Sequence, residues 1–190
     1  MANPETGWTL YPEPMADPSD LLIDRTLVLL RHAKAVPPES MPDLERPLAD
    51  RGRADAAAAG RYLVAQGIDA DLVICSPSTR TRETWQYAAE AGATATDVWY
   101  DRRVYSAGTD ELLDVLHDIP ADTRTVILVG HAPGIPWLAD ELALDGTSPS
   151  RVELTKKYPT SGLAVLHLTT RWSDLSADDA DLVDYVIPRG

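Results

Sequence analysis

The chain has 190 residues, enough to bury a substantial core in one domain, and its 44% hydrophobic and 25% charged residues exclude wholesale disorder. Seventeen Lys and Arg against thirty Asp and Glu leave a net charge of -13, so the surface as a whole repels nucleic-acid backbones and anionic lipid. A single cysteine, Cys75, excludes an intramolecular disulfide framework and a multi-cysteine zinc site, in keeping with a reducing compartment.

Residues 1–24 combine several Pro with scattered acids and read as a flexible acidic N-terminal arm without the basic start and long apolar stretch of an export signal. The apolar run at 27–30 is far short of the roughly 20 residues that a membrane helix needs. No membrane partner and a cytoplasmic location are therefore expected, with residues 25–190 forming a single domain. Residues 26–30 are continuously apolar and partly β-branched, which predicts a buried strand. The Ala-rich stretch 50–66, closed by Gly67, predicts a helix with a C′ glycine. A second buried strand follows at 71–75, then a helix at 79–91 and a short strand at 98–100. Residues 110–118, led by Thr109 as N-cap and with two acids in the first turn where the helix dipole favours them, predict another helix. A third buried strand at 125–129, a helix at 135–144 and a fourth strand at 163–168 complete the series. Strand and helix alternate, so the expected fold class is α/β, a three-layer sandwich with a mostly parallel central sheet.

Sheets of this kind hold ligands beyond the carboxyl ends of their strands. There the first strand runs into Arg31 and His32, the second into Ser76, Pro77 and then Arg80, and the third into Gly130 and His131. Two guanidinium and two imidazole groups are thus expected on one rim. A phosphoryl group has three outer oxygens to neutralise, and arginine forks do this with charge-assisted, bidentate hydrogen bonds, which Arg31 and Arg80 can supply. Ser76 followed by Pro77 also reads as an N-cap with Pro at the first helical position, which would aim free N–H groups at the same point; the helix entered through Pro133 follows the same logic. A neutral imidazole is a good nucleophile toward phosphorus, and neighbouring guanidinium charges keep it neutral. The expected chemistry is transient transfer of a phosphoryl group to one of the two histidines, while the arginines and the other histidine hold its oxygens.

Leu29-Leu30-Arg31-His32-Ala33-Lys34, Ser76-Pro77-Ser78-Thr79-Arg80 and Val129-Gly130-His131 resemble the signature of the histidine phosphatase superfamily, which also contains the cofactor-dependent phosphoglycerate mutases. The chain is more similar to the small SixA-type phosphohistidine phosphatases of that superfamily. It shares with them Asp43-Leu44-Glu45-Arg46-Pro47-Leu48 leading to Gly52, the turn Gly130-His131-Ala132-Pro133-Gly134, and late matches at Pro159-Thr160-Ser161-Gly162, Trp172 and Pro188-Arg189. The resemblance implies a phosphoglycerate mutase-like fold, with His32 as the phosphorylated nucleophile, Arg31 and Arg80 as phosphate binders and His131 completing the pocket. It implies a phosphohydrolase with no metal and no other cofactor, acting on a phosphorylated protein and above all on phosphohistidine. A small phosphorylated substrate, as for a broad phosphomonoesterase or a mutase, is one alternative, and a non-catalytic phospho-ligand binding module is another.

About 50 residues separate Arg80 from His131, too few for the insertion that the mutases place over their site, so an open pocket suited to a bulky substrate is expected. The chain departs from mutase-like members in carrying Ala33 after the nucleophile position, and no motif identifies an acid to protonate the leaving oxygen. Asp101, Asp110 and Glu111 lie in the relevant segment. Lys34 reaches either phosphate or solvent. Arg46 pairs most simply with Asp43 or Glu45, and Gly52 serves packing near a helix start. His117, in the last turn of a helix, and His167, within a strand, read as structural, and the four histidines lack metal-like spacing. Cys75 and Arg80 are separated by four residues where cysteine-dependent phosphatases need five, so Cys75 reads as a buried, inert thiol.

Overall fold

Runs that are apolar on both faces become strands covered on both faces. In the computed structural model, which describes residues 23–38, 41–144 and 148–190, those runs are the centre of one six-stranded sheet. Its strands are β1 (Arg25–Arg31), β2 (Ala70–Cys75), β3 (Ala95–Tyr100), β4 (Thr125–Gly130), β5 (Leu163–Leu168) and β6 (Ala180–Val186), in the spatial order β3-β2-β4-β1-β5-β6. The pairs β3–β2, β2–β4 and β4–β1 are parallel, whereas β1–β5 and β5–β6 are antiparallel. The sheet is therefore mixed, with the expected parallel part joined at β1 to an antiparallel one. The greater part of the predicted arm, residues 1–22, lies outside the described residues.

Alternate side chains of the central strands enter two separate cores. Leu27, Leu29, Leu72, Ile74, Val126 and Leu128 pack with Leu116 of α3 (Thr109–His117), Leu138 of α4 (Gly134–Leu142) and Leu154 of α5 (Pro149–Lys156). Val28, Leu30, Val73 and Val129 pack on the opposite face with Leu63 of α1 (Asp50–Ala65) and Trp85 of α2 (Thr79–Glu90). Each fully buried Leu or Ile stabilises this arrangement by about 1.5 to 3 kcal/mol, which makes the strand ends a stiff platform. Among the described residues no helix is long and apolar enough to cross a membrane.

Local boundaries follow local chemistry. Gly67 adopts φ +66 just past α1, the left-handed conformation expected of a C′ glycine. Thr109 is the first residue of α3 and not its cap; Gly108 occupies the cap position, and its N–H donates to the Glu111 carboxylate at 2.9 Å. Ser76-Pro77 likewise does not open α2. Ser78 holds the extended cap conformation and the helix starts at Thr79, because the Thr81 hydroxyl donates to the Ser76 carbonyl at 2.7 Å and keeps Ser76 outside the helix. Two elements go beyond the sequence expectations: α5, capped by the Ser148 hydroxyl, which accepts from the Arg151 N–H at 3.2 Å, and the edge strand β6.

Gly52 shows why a side chain is excluded at the start of α1. A Cβ there would lie 2.0 Å from the Lys34 carbonyl oxygen, a backbone atom that already accepts from the Ala49 N–H at 2.9 Å and cannot retreat. Gly52→Ala is expected to destabilise the fold by about 2 kcal/mol or more, since overpacking against backbone has no flexible partner to yield. Urea unfolding should show a lower midpoint with an unchanged slope; a midpoint equal to that of the parent would refute the close approach.

Candidate active site

The parallel register sets the site. Arg31 pairs with Gly130 across β1–β4 and Cys75 with Val129 across β2–β4, so the three strands end at one level. The next residues continue the pairing: the His32 N–H donates to the Gly130 carbonyl at 2.9 Å and the Ser76 N–H to the Val129 carbonyl at 3.1 Å. His32, Ser76 and His131 consequently emerge side by side. The imidazole rings of His32 and His131 stand 5.1 Å apart at an interplanar angle of 57°. From the antiparallel side, the Ser161 N–H reaches the carbonyls of Arg31 and His32, both at 3.1 Å, and Ser161 adopts φ 62 to do so.

Each ring is tied to a neighbour through one nitrogen. Nδ1–H of His32 donates to the Ala33 carbonyl at 2.7 Å, which leaves the Nε2 lone pair unused. His131 is buried, and its Nε2 lies 2.8 Å from the Ser76 hydroxyl. Thr84 braces the backbone beyond His32, since its hydroxyl accepts from the Ala33 N–H at 3.0 Å and donates to the Arg80 carbonyl at 2.6 Å.

Both arginines arrive with part of their hydrogen-bonding capacity engaged. One terminal nitrogen of Arg31 donates to the Tyr158 carbonyl at 2.7 Å. Arg80, buried in the first turn of α2, donates to the Asp43 carbonyl at 2.5 Å and to the Asp43 carboxylate at 2.8 Å. Tyr105 stands edge-on to His131 with 5.4 Å between centroids, has the Arg80 guanidinium 5.9 Å from its ring centre, and donates to the Asp43 carboxylate at 2.8 Å. Arg31 Nε, Arg80 Nε and His131 Nδ1 are buried without a hydrogen-bond partner. Buried polar atoms of this kind are ordinarily satisfied, so three unpartnered ones on site residues set this region apart.

Electrostatics follow from burial among cations. Desolvation, reinforced by the charges of Arg80, Arg31 and Arg46, lowers His32 to about 4 against a hydrogen bond to Ala33 that acts the other way. Desolvation lowers His131 to about 3, helped by His32 and Arg80. Both rings are neutral at pH 7. The unfolded chain takes up protons at these positions below about 6.5 while the folded chain refuses them until about 4, so stability is expected to fall as pH drops through that window. Nitrogen NMR of the folded protein should show His32 still neutral at pH 5; titration near 6.5 would contradict this environment.

Asp43 is the carboxylate drawn into the site, and hydrogen bonds from Arg46 and Tyr105, with Arg80 beside them, hold it well below the usual carboxylate range. The acids expected as proton donors are engaged elsewhere. Asp101 is bound by Arg103 at 2.7 Å, Glu111 caps α3, and Asp110 is exposed in the first turn of α3. Arg46 pairs with Asp43 at 2.7 Å, and the Lys34 side chain is exposed. Cys75 is fully buried and its thiol is pushed up to about 12 by that burial. His117 bonds the Leu175 carbonyl at 2.8 Å, and His167 lies 3.3 Å from Asp24. Among the described residues no group of three or more His, Cys, Asp or Glu is arranged to hold a metal ion. Sequence reasoning did not foresee Ser76 as the partner of His131, Tyr105 as a wall, or Asp43 as the partner of Arg80; for Asp43 alone a signal existed, its place at the head of the Asp43-to-Gly52 motif.

A family model described as histidine phosphatase superfamily (branch 1) matches residues 27–111. An uncharacterized protein of Mycobacterium tuberculosis is 36% identical over 162 residues, covering 84% of this chain and 100% of that one. Among solved structures, a candidate phosphohistidine phosphatase SixA from Nakamurella multipartitia is similar at TM-score 0.77 and 36% identity, over 87% of this chain and 96% of that one. A candidate phosphohistidine phosphatase SixA from Agrobacterium tumefaciens is similar at TM-score 0.70 and 28% identity, over 86% of this chain and 99% of that one.

Proposed function

The chain belongs to the histidine phosphatase superfamily, and on that premise we propose that it is a metal-independent phosphohydrolase that removes phosphate from phosphohistidine in proteins. In the first step Nε2 of His32 forms a bond to phosphorus as the bond from phosphorus to the substrate nitrogen breaks, its electron pair passing to the leaving imidazole. Arg31 and Arg80 bind the outer oxygens, and His131 completes the pocket around them. In the second step water attacks the phosphorus, the electron pair returns to Nε2, and the proton of the water leaves with phosphate or solvent. The protein supplies position and charge, with no redox chemistry.

The observation that carries this reading is the pair of imidazoles whose rings stand 5.1 Å apart, with the Nε2 lone pair of His32 unused. An ionised Asp43 has no proton to give an alkoxide. A leaving imidazole can carry a proton already on its other nitrogen and departs as a neutral ring, so phosphohistidine is favoured over an alkyl phosphate. The arginines take the charge-neutralising part that a metal would otherwise play.

The test compares a phosphohistidine peptide with glycerol phosphate in excess EDTA, with and without vanadate. The peptide is expected to turn over faster by about 100-fold or more, the usual worth of a missing general acid, and vanadate to inhibit. A comparable rate on glycerol phosphate would make the protein a broad phosphomonoesterase. Saturable phosphate binding without turnover would make it a binding module, and loss of activity in EDTA would overturn metal independence.

A further inference from the structure

We propose that Asp43 is a positioning residue, which grips the outer edge of the Arg80 guanidinium and so fixes the orientation in which Arg80 meets the phosphoryl group. The contact is two-pronged: the backbone carbonyl of Asp43 accepts from one terminal nitrogen at 2.5 Å and its carboxylate from the other at 2.8 Å. Both terminal nitrogens are thus held from the outer edge, while Nε, buried without a hydrogen-bond partner, takes no part in the grip. Asp43 is itself fixed from two further directions. Arg46 donates to one carboxylate oxygen at 2.7 Å and Tyr105 to the other at 2.8 Å, while Arg46 Nε donates to the Val36 carbonyl at 2.9 Å. The turn that carries Asp43 is thereby tied to the segment after His32 and to the wall beside His131.

A role in binding affinity would have the wrong sign. A carboxylate beside an anion site repels its ligand, so a site shaped for affinity alone would place a neutral acceptor there. Orientation has the right sign, because an arginine side chain has several free torsions and a reacting group displaced by about 1 Å can lose about 100-fold in rate. The Asp43 to Gly52 motif thus divides into an orienting end and, at Gly52, a packing end against Lys34.

This inference rests on the phosphohydrolase reading, and wild-type turnover of an aryl phosphate tests that reading separately. Asp43→Asn removes the charge, keeps the backbone carbonyl, and is expected to lower kcat by roughly 10- to 100-fold. The inhibition constant of inorganic phosphate should stay the same or tighten, a split that a general loosening of the fold would not give. In an Arg80→Lys background, where the two-pronged grip is already lost, the same substitution should change kcat by less than about threefold. The nitrogen NMR signal of Arg80 Nε–H, sharp in the parent and broadened in Asp43→Asn, reports orientation without any turnover. A kcat within about twofold of wild type, parallel loss of phosphate affinity, equal losses in both backgrounds, or an unchanged Arg80 signal would each overturn the assignment.

Discussion

His32→Ala is expected to abolish turnover, lowering kcat by about 10,000-fold or more, because in the proposed reaction no other group accepts the phosphoryl group. His131 stands 5.1 Å away, yet its Nε2 is committed to the Ser76 hydroxyl and its other nitrogen is buried, so it cannot take over. The check has two parts. A single-turnover reaction of the wild-type protein should trap an acid-labile, base-stable phosphoprotein, and the variant should yield none. Cys75→Ser provides the control: a fully buried thiol pushed up to about 12 has no thiolate to offer, and its replacement should leave kcat within a few-fold of the parent. Activity that survives in His32→Ala and vanishes in Cys75→Ser would invert the assignment.

The second large effect is expected at Arg80. Arg80→Ala should lower kcat by about 1,000-fold, the upper range for loss of one preorganised charge-stabilising donor, and should weaken inorganic phosphate binding as well. Arg80→Lys should recover little. A single ammonium cannot hold both the carbonyl and the carboxylate of Asp43 and still present two N–H groups side by side to an oxyanion. Because Arg80 is buried at the start of α2, a thermal melt must accompany the kinetics. A folded Arg80→Ala protein with near-parental kcat would remove this guanidinium from the mechanism.

Strands β1, β2 and β4 were legible because they are apolar on both faces, and the glycine after α1 was legible because it marks a left-handed turn. The expectation that Arg31, His32, Arg80 and His131 meet on one rim came from a general rule about strand ends, and the register of β1 and β4 brings His32 and His131 side by side. β6 was hidden by its own composition: it is an edge strand, partly exposed, with Asp181 and Asp184 interrupting its apolar residues, so its pattern reads as loop. α5 buries only Leu154 among its residues, which leaves no apolar stripe to detect. Tyr105 could not be read as a site residue, nor could the pairings of Asp43 with Arg80 and of Ser76 with His131, because these are contacts across 37 to 62 positions of chain that no local pattern encodes.

The two imidazoles stand at the ends of β1 and β4, strands bonded along both edges and enclosed on both faces, whereas Arg80 is gripped by a surface turn. Attack and charge-clamping are therefore lodged in different parts of the architecture. Substitutions in the turn can retune the pace of the reaction without disturbing the group that attacks, so a lineage descended from this scaffold can change its tempo while keeping its chemistry.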